Sequence, residues 1–91
     1  MKINDLSRLF GARLREARIS RKMTQVKLSK VTGLHDTAIS HYERGKRYPN
    51  IDHLMILAVG LNATTDYLVG LCHDDVLVDY GAKDGGAEKS V

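Results

Sequence analysis

The sequence predicts an all-α domain of five helices, and three observations predict it. Apolar residues recur at helical spacing from residue 6 to residue 70. Good N-caps stand just ahead of those stripes, and glycines just behind them. The one proline, Pro49, falls between two stripes and interrupts neither.

The first helix is expected from about Leu6 to Lys22, because Phe10, Leu14 and Ala17 recur at i, i+4 and i+7 with Arg13, Arg15 and Glu16 between them. Thr24 is the N-cap of a short second helix carrying Leu28, and Gly33 suits the left-handed residue that ends it. A third helix runs from Asp36 to Arg44 and stops at Gly45. Pro49 and Asn50 introduce the fourth, with Asn50 as N-cap and Ile51, Leu54, Leu57, Ala58 and Leu61 as its buried stripe. Thr64 caps a last short helix of Asp66, Tyr67 and Leu68, closed by Gly70. The acid at Asp66 complements the positive end of that helix.

Residues 6–71 thus form one domain, and residues 72–91 an extension of different character. Val76, Val78 and Tyr80 alternate with Leu77 and Asp79, a strand-like period of two over residues 76–80. A lone strand cannot satisfy its own backbone, so it calls for a partner such as its copy in a second subunit. Gly81, Gly85 and Gly86 among scattered charges mark the rest as a disordered tail.

Composition narrows the function classes. A chain of 91 residues buries only about 60% of the surface its unfolded form exposes, so dimerisation would help it. The single cysteine, Cys72, builds no disulfide framework and fits a reducing cytoplasm. The longest apolar stretch, Leu54 to Leu61, is far short of the ~20 residues that span a bilayer, and no secretory leader opens the chain. Residues 1–50 carry twelve Lys and Arg against four acids, a net +8, whereas residues 51–91 carry two against seven, a net −5. One face is therefore suited to a polyanion.

Thr24 to Gly45 is the informative stretch. Two short helices joined through a glycine turn make a helix-turn-helix unit, whose second helix fits the roughly 12 Å major groove of DNA. At about 100° per residue, Asp36, Ser40, Arg44, Thr37 and His41 share one polar arc, while Ala38, Tyr42 and Ile39 face the other way. A solvated helix has the same pattern, so the arc alone does not establish DNA reading.

From Phe10 to Leu71 the chain resembles the Cro and lambda-repressor type of helix-turn-helix domain, the XRE-like family. The matching residues are Leu14, Arg15 and Arg18, then Met23-Thr24-Gln25 with Leu28 and Thr32-Gly33-Leu34. They continue with Ile39-Ser40, the run Tyr42 to Lys46, Pro49, and Asp66-Tyr67-Leu68. The resemblance implies a five-helix lambda-repressor-like fold that binds double-stranded DNA sequence-specifically as a dimer, most often to repress transcription. It places Asp36, Thr37, Ser40 and His41 at or beside base-reading positions and Gln25 at a phosphate position. For Asp36 a helix-dipole or capping role stands equally beside contact with a cytosine amino group. His35 stands where the family usually has Ser as an N-cap, and is assigned a phosphate contact. Arg44, Lys46 and Arg47 are assigned to the DNA backbone, with Asn50 as a neutral donor. Arg18 and Glu43 occupy positions that the family pairs as a structural salt bridge.

Ile56 and Val59 depart from the family, which usually has polar side chains there. This apolar strip is expected to pack under residues 76–80, with Val76 and Val78, or to form a dimer contact with Leu68 and Leu71. Enzyme chemistry finds no footing. His35, His41, His53, His73 and Cys72 offer no His-x-x-x-His or Cys-x-x-Cys spacing, and no phosphate loop or nucleophile elbow is present. No metal, cofactor or membrane partner is therefore expected. The expected function is a phage- or plasmid-type repressor acting as a homodimer on a palindromic operator. A restriction–modification controller or antitoxin of the same fold is the alternative, as is a protein-interaction adaptor that does not bind DNA. An antirepressor or toxin partner stays open.

Overall fold

A computed structural model describes residues 2–81. Its helices are α1 (Ile3–Ser20), α2 (Gln25–Thr32), α3 (Asp36–Glu43), α4 (Ile51–Leu61) and α5 (Thr65–Leu68). α1 starts one turn earlier than its apolar stripe suggests and ends two residues sooner. The early end has a local cause: Lys22 takes a left-handed φ of 58°, and the Met23 N–H turns back to the Arg18 carbonyl at 3.1 Å.

Side chains that accept backbone N–H groups set the other helix starts. Thr24 Oγ1 accepts from Lys27 at 3.0 Å, Asn50 Oδ1 from His53 at 2.8 Å, and Thr64 Oγ1 from Tyr67 at 3.0 Å. Each such cap contributes about 1 kcal/mol. Gly33, at φ 78°, closes α2 in the left-handed region.

The core lies where the five helices meet: Phe10, Leu14, Leu28, Ile39, Leu57, Leu61 and Leu68 are fully buried. Two expected core or interface positions are corrected. Ile51 is 69% exposed. At about 100° per residue it falls on the α4 flank shared with exposed Met55, not on the line of Leu54, Leu57 and Leu61. Leu68, assigned to a dimer or tail contact, is 0% exposed within its own domain, because α5 turns this side chain onto the core. It has no surface left to offer a partner.

Residues 76–80 form no strand. Their one backbone link to the body is the Val78 N–H donating to the Asn62 carbonyl at 2.7 Å, and no described strand lies alongside to extend a ladder. Side chains tie the extension down instead. Arg21 pairs with Asp75 through both terminal guanidinium nitrogens, and its Nε donates to the Leu61 carbonyl at 2.8 Å. The Tyr80 hydroxyl donates to the Ala63 carbonyl at 2.6 Å, and Arg13 Nη1 donates to the Cys72 carbonyl at 2.8 Å. The tail expected to be disordered continues into residues 82–91, outside the described residues.

Arg13 also lies 4.6 Å above the Tyr67 ring, whose hydroxyl donates to Glu16 at 3.1 Å. Burial pushes the Tyr67 hydroxyl above its ordinary 10.0, and the bond to Glu16 adds to the rise. Burial also raises Tyr42, against the opposing charge of Arg47. The folded chain then keeps these protons after the unfolded chain loses them, so their stabilisation is full below pH 10 and declines as pH rises further. Urea midpoints measured from neutral pH upward should fall only above about pH 10, and the fall should be smaller in Tyr67→Phe.

Candidate nucleic-acid interface

The site is set by how α3 is held. Gly11 on α1 meets the C-terminal end of α3 backbone to backbone: a Cβ at this position would overlap the Tyr42 carbonyl and lie 2.8 Å from that of Glu43. Beside this contact Arg18 Nε and Nη2 donate to the two Glu43 carboxylate oxygens at 2.6 and 2.9 Å, and Nη1 donates to the Met23 carbonyl at 2.8 Å. The pair is largely shielded from solvent, with side-chain exposures of 11% and 4%. Its hydrogen bonds hold the Arg18 guanidinium above its usual range against the opposing effect of burial.

Glu43 reaches one residue further. Gln25, at the start of α2, donates its amide N–H to Glu43 Oε1 at 3.1 Å. One carboxylate thus fixes α1, α2 and α3 together and orients Gln25, whose amide nitrogen keeps a second N–H. Nothing in the spacing of Gln25 and Glu43 announced this bond.

Gln25, Asp36, Thr37, Ser40 and Arg44 line a shallow open cleft of 280 Å³. Asp36, Thr37 and Arg44 are exposed and Ser40 is half-buried. His41 is half-buried outside that cleft, further along α3. On the opposite face Ile39 and Tyr42 are buried, and the Tyr42 hydroxyl meets His53 Nδ1 of α4 at 2.6 Å. The polar arc of α3 is therefore turned outward by a locked apolar face.

His35 serves as the N-cap of α3: its Nδ1 accepts from the Thr37 N–H at 3.1 Å. Asp36 Oδ1 lies 3.1 Å from the same nitrogen.

Arg44, Lys46 and Arg47 follow α3 as exposed cations that form no ion pair among the described residues. Asn50 is exposed beside them, but its carbonyl oxygen is committed to capping α4, leaving only its amide N–H groups to donate. Gly45, at φ 73°, turns this loop against α1. Ile56 and Val59 line an apolar groove of 590 Å³ with Val31, Met55 and Tyr80. Leu71 is 79% exposed, Val76 is exposed and Val78 half-buried. Among the described residues no three metal-ligating side chains come together, and no helix is long and apolar enough to cross a membrane.

The helix-turn-helix family model HTH_3 matches residues 14–68, a span that contains α2, α3, the cationic loop and the Arg18–Glu43 pair. The chain belongs to that family. As an HTH_3 member it is 36% identical over 63 residues to repressor protein C2 of Salmonella phage P22, covering 69% of this chain and 29% of that protein. It is 38% identical over 61 residues to the HTH-type transcriptional regulator ImmR of Bacillus subtilis, covering 67% of this chain and 48% of the relative. The chain thus spans less than two thirds of either relative. Among solved structures, the restriction-modification controller protein C.AhdI of Aeromonas hydrophila superposes with a TM-score of 0.65 at 31% identity, over 68% of this chain and 94% of that one.

Proposed function

We propose that this HTH_3 member is a sequence-specific, double-stranded DNA-binding transcriptional regulator of the phage- or plasmid-repressor type, not an enzyme. In this reading it works in the cytoplasm as a homodimer on a palindromic operator. The observation that carries the proposal is the outward polar arc of α3, opening into the cleft shared with Gln25 and Arg44 and followed by the unpaired cations Lys46 and Arg47. Likeness to a phage repressor supports it. Thr37, Ser40 and His41 read base edges, and Asp36 either joins them or complements the α3 dipole. Gln25, His35, Arg44, Lys46, Arg47 and Asn50 hold phosphates. A restriction–modification controller is the second reading, favoured by the 94% coverage of the controller C.AhdI.

Residues 6–71 are the DNA-binding domain and residues 72–91 its extension. The dimer draws its apolar contact from Ile56, Val59, Leu71, Val76 and Val78, and sets the half-site centres about 34–36 Å apart. Selection of bound fragments from random duplexes tests the proposal: a palindrome with that spacing supports it. Retention on DNA that is insensitive to salt, or a monomer in sedimentation with operator present, overturns it.

Two substitutions separate reading from anchoring. Arg47→Ala should weaken binding to every sequence and flatten the log K against log salt slope by about one unit per subunit, from about −7 for a dimer. Thr37→Ala should change preference at one base position instead. Uniform loss in both variants would show that α3 is not the reader.

A further inference from the structure

We infer that Arg8 of α1 is a further phosphate ligand beside the cationic loop after α3; this rests on the DNA-binding reading above. The first turns of α1 and the loop at Gly45 touch: a Cβ on Gly45 would lie 3.1 Å from Arg8 Cγ and 3.2 Å from Arg8 Cα. A Cβ here would need Arg8 to give by a few tenths of an ångström and would sit on a left-handed φ that favours glycine, and from Gly45 the chain runs directly into Lys46 and Arg47. The side chain of Arg8 therefore starts from the same patch of surface as the loop cations, although Arg8 is 37 residues from Gly45 in sequence.

Its electrostatic state suits the role. Arg8 is exposed, and among the described residues its side chain makes no hydrogen bond and no ion pair. Asp5, three residues earlier on the same helix, does not pair with it. The other arginines of α1 differ. Arg18 is held by Glu43 and Arg13 by Tyr67 and the Cys72 carbonyl, while Arg15 is exposed two turns further along the axis. Beside Gly45, the chain neighbour of Arg44 and Lys46, a guanidinium that has no partner among the described residues adds to the repulsion among the loop's positive charges. A phosphate chain running past the loop relieves it, and the planar fork of arginine suits two phosphate oxygens.

The test measures log K against log salt for the full chain and a fixed mixed-sequence duplex. Arg8→Ala should make the slope shallower by about 0.9 per subunit, with thermal midpoint and base preference unchanged, and Arg8→Lys should restore the slope. Lys22→Ala, just past the far end of α1 and about 20 Å from Arg8 at the helical rise, should leave the slope as it is. An unchanged slope in Arg8→Ala, or an equal change in Lys22→Ala, overturns the inference while the DNA-binding reading stands. Absence of salt-dependent binding by the unaltered chain overturns both.

Discussion

Glu43→Ala should lower the stability of the domain by about 3–5 kcal/mol, the cost of leaving a buried charge without its partner. The Arg18 guanidinium would keep only the Met23 carbonyl and lose both oxygens that now face it. Gln25 would lose its anchor as well. The same principle predicts a sharp contrast. Replacing both partners with apolar side chains, as in Arg18→Met with Glu43→Leu, should recover most of the stability, because no charge is then left buried. Denaturant midpoints of the two single variants and the double variant read this directly. If the pair served stability alone, the double variant would also bind DNA normally. Because Glu43 orients Gln25 at the α2 N-terminus, binding should stay weakened in the restored fold. Normal binding there would remove Glu43 from any positioning role.

Legibility in the sequence followed the range of the interactions. The caps Thr24, Asn50 and Thr64 act within three residues of themselves, and the glycine at position 33 closes α2 through its own φ; such local chemistry is visible in a string of letters. Helical spacing placed the centres of the stripes well and their flanks poorly. Ile51 keeps the spacing of a core residue but lies to one side of the α4 contact line, where nothing covers it. The period of two over residues 76–80 misled for a related reason. Alternation describes side-chain direction, whereas a strand needs a neighbouring backbone, and here the segment is held by Arg21, Tyr80 and a single peptide N–H.

Long-range polar contacts were the least legible. The Arg18–Glu43 pair came from family resemblance and not from spacing, and the Gln25 bond to the same carboxylate came from neither. His35 shows the limit of a propensity argument in the other direction. It is a poor N-cap by residue type, yet its ring nitrogen reaches the Thr37 N–H and does the work of a Ser hydroxyl. The outward arc of α3 was legible because it requires only that Ile39 and Tyr42 be inside. Which of its residues share a cleft with Gln25 depends on the α2–α3 crossing, and that is where His41 separates from Asp36, Thr37 and Ser40.

Gly11→Ala should be strongly disruptive for a single methyl group, destabilising the domain by about 3 kcal/mol. The added carbon would lie far inside van der Waals contact distance of the Tyr42 carbonyl oxygen and 2.8 Å from that of Glu43. These obstacles are backbone atoms at the end of α3, so no rotamer change relieves them and the helices must part. Gly60 offers the matching control. A Cβ there would meet Thr32 Cγ2 at 2.7 Å, a side-chain methyl that can turn away at the expense of the Thr32 hydroxyl's bonds to the Leu28 carbonyl and the Leu34 N–H, while no backbone atom stands in the way. Gly60→Ala should therefore cost much less, offset in part by the better helix propensity of alanine. Thermal unfolding of the two variants compares them directly. Parting α1 from α3 also displaces Glu43 from Arg18 and tilts the polar arc. Gly11→Ala should consequently lose DNA binding even at temperatures where it remains folded, whereas Gly60→Ala should keep it. Equal stability losses in the two variants would mean that α1 and α3 are not in backbone contact at Gly11.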